Sequence, residues 1–368
     1  MNGIRPSMTL AGKADSDMQV FPILMAALFI FAAAGMAIWQ TGKANRHSSR
    51  VRRLRIPALG LCLALCMSVL TGCTNAFSVD IDTWLDGEPK SSLKEMKVHF
   101  IDVGQADSIF IELPDGKNML IDAGNNADGA FVARYLSDRG VTRINYLIGT
   151  HPHADHIGGL DTIINEFDIV NVLMPKVSYN TKTYEDVLKA VKNKGLRIIS
   201  PVAGEYCVEV SNYKIEVLAP CEAEYEDINN YSIVVKITIG ERSFLFCGDA
   251  EALSEEQMLE RFDIGADVVK LGHHGSATSS SEAFLDAVNP EYAVIMCGAD
   301  NDYGHPHEQT LDRLAKRGIG LYRTDINGTI VMTTDGQSID VVVQYQPGER
   351  EGNSLAGEAT PAEDDAAA

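Results

Sequence analysis

The sequence predicts an α/β domain of layered sheets with helices on their outer faces, preceded by membrane-targeting segments. Three observations carry that expectation. Of 368 residues, 45% are hydrophobic and 22% charged, a globular composition that excludes a fibrous or wholly disordered chain. Between Met96 and Tyr345, strand-like runs are joined by Gly- and Asp-bearing turns in some places and by helical stretches in others. Such a mixture of hairpins and crossovers puts helices outside sheets. Near the N-terminus, two apolar runs flank a cluster of basic residues.

The first apolar run, Met18–Trp39, has no charge and is long enough for a transmembrane helix. Lys43, Arg46, Arg50, Arg52, Arg53 and Arg55 follow it and favour the cytoplasmic side. The second run, Ile56–Leu70, is short and leads into Thr71-Gly72-Cys73. A basic stretch, a short apolar core and small residues before a cysteine resemble a bacterial lipoprotein signal, which makes Cys73 the lipidated residue. The plainer reading is a cysteine at the end of a membrane helix. Because such a signal ordinarily opens a chain, either translation starts at Val51 or both segments are retained as a helical hairpin. On either reading the following domain sits outside the cytoplasmic membrane of a bacterial cell. The expected organisation is therefore 1–50 as a transmembrane segment or mis-assigned start, 51–73 as the signal-like segment, and 74–95 as a linker. Residues 96–345 form the folded domain and 346–368 a disordered acidic tail.

Within the folded domain, Lys97–Val103, Ser108–Leu113 and Asn118–Asp122 read as strands separated by turns such as Pro114-Asp115-Gly116. Ala130–Leu136 has helical spacing and stops near Gly140. Tyr146–Gly149 and Asp168–Met174 read as strands, and Thr183–Asn193 as a helix. The second half repeats the scheme, with strands at Ile215–Ala219, Ser232–Ile239, Ser243–Phe246, Val268–Leu271 and Tyr292–Ile295. Its helices fall at Glu251–Arg261, Ser281–Val288 and Glu308–Lys316, before a hairpin of Thr329–Thr334 and Ser338–Val343. A strand-then-helix succession in each half permits a two-sheet sandwich. Ser279, three residues before Glu282, has capping-box spacing.

Seven cysteines without a CxxC exclude a zinc-finger framework, whereas the histidines are clustered. Thr150-His151-Pro152-His153-Ala154-Asp155-His156-Ile157-Gly158-Gly159 follows a buried strand. Three imidazoles and a carboxylate in one strand-to-helix loop are ligands suited to Zn, Mn or Fe, and the glycines allow a tight turn beneath them. His273 and His274, if extended, point to opposite sides. His305 and His307 flank Pro306, either as an exposed helix start or as a rim that meets substrate.

These motifs resemble the metallo-β-lactamase superfamily, whose mark is His-x-His-x-Asp-His in such a loop. More narrowly, residues 100–108, 229–232, 246–251, 271–276 and 303–307 are similar to the soluble hydrolase domain of the ComEC competence family, without its many-helix channel. The resemblance implies a four-layer αββα sandwich and one or two divalent metal ions, Zn or Mn. It makes His151 and His153 ligands of one metal and Asp155, His156 and His273 ligands of a second, with Asp249 bridging. Asp122 would orient a ligand histidine rather than touch metal. Asp155, Asp249 and His305 would be catalytic, and His274, Ser276 and His307 would contact substrate. Plainer readings make Asp249 a helix cap and Asp122 a turn residue.

The implied activity is metal-dependent hydrolysis of phosphodiesters, plausibly in DNA. Charge weighs against DNA: residues 96–345 hold 20 Lys and Arg against 38 Asp and Glu, a net −18. A broad basic surface for phosphates is thereby excluded. Hydrolysis of a small ester, lactone or phosphodiester, and a metal-binding surface module without turnover, are the other readings. No histidine occurs from Ile157 to Gly272, where the superfamily usually places a further ligand for the first metal. The two metal sites are therefore expected to be unequal, with the first one loose and favouring Mn.

Overall fold

A computed structural model describes residues 95–346 apart from residue 211. The chain lays down β1 (Met96–Phe100), β2 (Ile109–Glu112), β3 (Asn118–Ile121), α1 (Gly129–Ser137), β4 (Arg143–Ile148), α2 (Ala154–Ile157), α3 (Leu160–Glu166), β5 (Asp168–Leu173), α4 (Lys182–Asn193) and β6 (Ile198–Ile199). It continues with β7 (Cys207–Val210), β8 (Tyr213–Ala219), β9 (Val234–Ile239), β10 (Arg242–Phe246), α5 (Ala252–Arg261), β11 (Val268–Lys270), α6 (Glu282–Val288) and β12 (Tyr292–Ile295). The last elements are α7 (Glu308–Arg317), β13 (Gly320–Arg323), α8 (Thr324–Asn327), β14 (Ile330–Thr334) and β15 (Ile339–Val343).

Two sheets result, an eight-stranded one ordered β15-β14-β1-β2-β3-β4-β5-β6 and a seven-stranded one ordered β13-β12-β11-β10-β9-β8-β7. Each is antiparallel where hairpins connect its strands and parallel where helices do, as in β3-β4-β5 and β10-β11-β12-β13.

Side chains on successive strand residues point to opposite faces, and here both faces are apolar. Ile109, Ile111, Met119, Ile121 and Ile148 point between the sheets, where they meet Ile215, Val235, Ile237, Phe244 and Phe246 of the second sheet. Their neighbours Phe110, Leu120, Ile144 and Leu147 point outward and are covered by Val132, Leu136, Leu160, Ile163, Ile164 and Val187 of α1, α3 and α4. On the far side, Leu245, Val269, Ala293 and Ile295 are covered by Met258, Phe284, Leu285 and Leu314 of α5, α6 and α7. The two-sheet α/β expectation holds, with helices on both outer faces. Among the described residues no helix is long and apolar enough to cross a membrane. Met18–Trp39, Ile56–Leu70 and Cys73 lie outside the described residues, as does the tail beyond Gln346.

Several local expectations are corrected. The strand expected at Ser232–Ile239 begins at Val234, because Ser232 turns inward to the site described below. Ser281, not Ser279, caps α6, its hydroxyl accepting the Phe284 N–H at 3.2 Å. The Ser279 hydroxyl instead donates to the Gly272 carbonyl at 2.7 Å and holds the preceding loop. The left-handed backbone of His273 and His274 replaces the extended conformation expected for them.

One close approach fixes the loop after β4. A Cβ built on Gly158 would lie 2.3 Å from the backbone of Asn125 and Asn126, and one on Gly159 would lie 2.3 Å from the Ala123 carbonyl. The glycines let α2 and α3 sit directly on the loop after β3. Gly158→Ala is accordingly expected to cost about 3 kcal/mol, at the upper end for overpacking a close-packed site. Thermal or denaturant unfolding checks it, and an unchanged midpoint would contradict the packing argument.

Candidate metal centre and its cleft

The site is assembled where strands of both sheets end. At the end of β3, Asp122 takes a left-handed φ of 58° and its N–H donates to the Ile148 carbonyl at 2.8 Å. Its buried carboxylate accepts the Thr150 N–H at 2.8 Å, the Thr150 hydroxyl at 2.7 Å and His156 Nδ1–H at 2.8 Å. With Nδ1–H committed to Asp122, the ring turns its Nε2 toward the cluster.

From the second sheet, β10 runs into Cys247-Gly248-Asp249, where the buried Asp249 N–H donates to the Ser232 hydroxyl at 3.0 Å. Strand β11 ends at Lys270, whose fully buried ammonium ion-pairs with Asp107 and donates to the Gly248 carbonyl at 2.9 Å. It lies 3.9 Å from Asp249 Oδ1. His273 and His274 then sit in a one-turn 3-10 segment at φ 50° and 52°. Left-handed non-glycine residues cost about 1–3 kcal/mol each and persist where their surroundings hold them. Here the His273 N–H donates to the Gly248 carbonyl and the Ser276 N–H to the His273 carbonyl, at 3.2 and 2.8 Å.

The turn separates the two histidines by depth rather than by side. His274 is buried, with Nδ1–H donating to the Met296 carbonyl at 2.8 Å. Its Nε2 reaches Asp155 Oδ2 at 3.1 Å and Asp249 Oδ2 at 3.6 Å. His273 lies nearer the rim, a quarter exposed, with Nδ1 3.0 Å from Glu251 and Nε2 3.9 Å from Asp249 Oδ2. The compact group is therefore Asp155, His156, Asp249 and His274, one donor atom from each lying within 4.8 Å of the others. His274 lies inside this group, whereas His273, which the family pattern makes the ligand, lies nearer its rim.

The first pair stands outside this compact group. His151 Nε2 is 3.0 Å from His153 Nδ1 and 3.9 Å from Asp249 Oδ2. Ser276 and His307, expected to contact substrate, take part in hydrogen bonds within the loop. Ser276 is buried, its hydroxyl paired with that of Thr278 at 2.9 Å, and His307 Nδ1 accepts the Ala277 N–H at 2.9 Å. The Asp249 carboxylate stands in the cluster, and α5 starts after Glu251 without a side-chain cap.

Several groups escaped the sequence reading. Asp107 and Lys270 form the buried ion pair, and the lysine within the apolar run Val268-Val269-Lys270-Leu271 was the available signal. Gln105 ties the two halves: its Oε1 accepts the Gly298 N–H at 3.0 Å and its Nε2 donates to His305 Nδ1 at 3.3 Å. His305 is thus left with Nε2–H as a donor. A cleft of about 370 Å³ opens above the cluster, with Gln105, His153, Asp155, Tyr179, Tyr303 and His305 among its lining residues.

Electrostatics follow from this crowding. Burial alone would raise the Asp249 pKa, but the imidazoles of His156 and His274 outweigh it and hold the carboxyl well below its ordinary range. Asp155 is lowered in the same way, burial being overcome chiefly by His156 and His274. Burial opposes a charge on His156, yet Asp249, Asp155 and Asp122 raise its pKa well above the usual value. His274 is likewise raised against burial, by Asp249 and Asp155. Burial and the neighbouring imidazoles push His305 down to about 4, so it stays neutral at pH 7.

The donor set fits a divalent cation on two counts. His156 Nε2 and Asp249 Oδ1 are buried 3.2 Å apart, yet neither makes a hydrogen bond among the described residues. Imidazole and carboxylate are also the ligand types that Zn and Mn accept. Two consequences are testable by calorimetry on the metal-free protein. Because His156 and His274 are held protonated in the metal-free centre, cation binding should expel protons, and affinity should rise with pH until those groups have titrated. Titration with Zn or Mn in buffers of different ionisation enthalpy should show this, and heats independent of buffer would refute it. Because His151 and His153 lie outside the compact group and bring two imidazoles besides Asp249, a second, weaker step is expected, whereas two equally tight steps would contradict the asymmetry.

Comparison with known proteins agrees with this architecture. The metallo-beta-lactamase superfamily pattern matches residues 101–299. "ComE operon protein 3" of Bacillus subtilis (strain 168) is 31% identical over 254 residues, covering 64% of this chain and 33% of that protein. "Competence protein ComA" of Neisseria gonorrhoeae is 30% identical over 246 residues, covering 64% of this chain and 32% of its own length. "Recombination protein 2" of Haemophilus influenzae is 29% identical over 242 residues, covering 64% and 28%. The chain spans about a third of the length of these curated relatives, and the likeness to the ComEC competence family read from the motifs holds. With the cluster formed at the ends of both sheets and the family pattern covering more than half of its residues, this chain belongs to the metallo-β-lactamase superfamily.

Proposed function

We propose that the protein is a metal-dependent phosphodiesterase that cleaves nucleic acid, DNA in particular, outside the cytoplasmic membrane. The observation that carries this reading is the compact set of Asp155, His156, Asp249 and His274 at the foot of an open cleft. Competence proteins among the relatives support the choice of substrate.

In this reading Asp155, His156, Asp249 and His274 would hold one divalent ion, and His151 and His153, with Asp249 beside them, would hold a second. When bound, such an ion supplies Lewis acidity, lowering the pKa of water and polarising a phosphoryl group. The chain's own residues do the rest. Asp155, held ionised and partly open to the cleft, takes the proton of the attacking water. Asp122 and the Met296 carbonyl fix the tautomers of His156 and His274 and keep both rings aimed inward. Neutral His305 donates a hydrogen bond from Nε2 to an oxygen of the substrate, and Gln105 holds the ring in that tautomer.

Asp249→Asn preserves size while removing the charge between the two sets of ligands. Turnover of an oligonucleotide with added Mn or Zn should fall at least about a hundredfold, while the unfolding midpoint of the protein is retained. Wild-type turnover in the variant would refute the assignment. Membrane attachment has its own test, since acylation needs the thiol. Cys73→Ala should leave an unprocessed or mislocalised product, and unchanged size and membrane partition would remove the lipoprotein reading.

A further inference from the structure

We infer that Tyr303 is a stacking platform for an unpaired nucleobase beside the cleaved phosphodiester, which makes single-stranded nucleic acid the substrate class. This rests on the phosphodiesterase reading above and adds how the substrate is held. Tyr303 is 69% exposed, although an aromatic ring of that size loses free energy by facing water. It lies on the cleft, its ring stacked on that of His305 with centroids 5.7 Å apart and planes 20° apart. Tyr303 thus continues the row of rings that leads from His274 through His305 to the rim.

The loop that carries it is built rather than slack. The Asn301 side chain accepts the Tyr303 and His305 N–H groups at 3.2 and 3.0 Å and donates to the Gly298 and His305 carbonyls at 2.9 and 2.6 Å. Four bonds from one amide hold the backbone on both sides of Tyr303, so little ordering remains for binding to impose. A second ring, Tyr179, lines the same cleft and packs edge-on against His153 at 5.7 Å. Aromatic faces therefore flank both the His151–His153 pair and the His274–His305 pair.

Charge closes the argument. Among the described residues no lysine or arginine lines the cleft, and residues 96–345 are strongly acidic. A polyanion cannot be gripped there by neutralising a long run of phosphates. Beyond the contacts to the one reacting phosphodiester, base stacking is the source of affinity the cleft offers a strand, and it needs bases that are not already stacked in a duplex.

The test compares kcat/KM for a short single-stranded oligodeoxynucleotide with that for the same strand bearing abasic residues on both sides of the one cleavable phosphodiester, with Mn or Zn added. The wild-type protein should favour the base-bearing strand by about five- to a hundredfold, the worth of one stacked base. In Tyr303→Ala that ratio should collapse toward one, the loss appearing in KM, whereas Tyr303→Trp and Tyr303→Phe should keep it. A wild-type ratio near one, or a ratio unchanged in Tyr303→Ala, overturns the stacking platform while leaving the phosphodiesterase reading intact. Failure of the wild-type protein to cleave either strand overturns that underlying reading, and the platform with it.

Discussion

Excess negative charge in a buried place is the constraint on which the rest of the site depends. Asp107, Asp122, Asp155 and Asp249 converge at the meeting of the two sheets, and among the described residues one ammonium, that of Lys270, is buried with them. Two like charges 4 Å apart at an effective dielectric constant of 20 repel by about 4 kcal/mol. Such a group persists only if it is balanced. Lys270 balances it from beneath, while the raised pKa values of His156 and His274 show protons balancing it from the cleft side. A divalent cation replaces those protons without changing the sign of the balance. The acidic core of the centre and its affinity for metal are therefore one property.

The sheets make that crowding geometrically possible. Asp122 and the His151–His156 loop follow β3 and β4 of the first sheet, and Asp249, Lys270 and the histidine pair follow β10 and β11 of the second. Parallel strands present their C-terminal ends to the same side, so the loops gather there without long excursions. At Asp122, His273 and His274 the chain enters left-handed backbone, which L side chains other than glycine avoid. Strain concentrated at the residues that hold donors, and fixed by hydrogen bonds to neighbouring strands, is the cost of turning each side chain inward.

Much of the architecture was legible because the central strands, apolar on both faces, are short continuous apolar runs bounded by turn residues. Periodicity located β2, β3, β5 and the helices α1 and α4 to within a residue or two. Two-residue β6 and one-turn α8 carry too few residues for a pattern to register, β13 opens on a glycine and is half-buried throughout, and α3 goes unread although Leu160, Ile163 and Ile164 have helical spacing. The His-rich loop announced a metal centre because so many imidazoles in one segment have few structural explanations. Choosing between His273 and His274 required the left-handed turn, which neither residue type suggests. Asp107 and Lys270 lie 163 positions apart, and only the docking of one sheet on the other makes them partners.

The pairing of β1 with β14 has a consequence for how such a domain travels between proteins. Met96 lies opposite Thr334, and β15 runs beside β14 to end level with the other end of β1. Two strand spacings of about 4.8 Å and four residue rises of about 3.3 Å put entry and exit of the fold roughly 16 Å apart. A module whose two ends lie that near to one another can be spliced into a loop of a host chain with little separation of the flanking segments. Its site, built wholly between its own sheets, would arrive intact, a portable cassette suited to relatives three times its length.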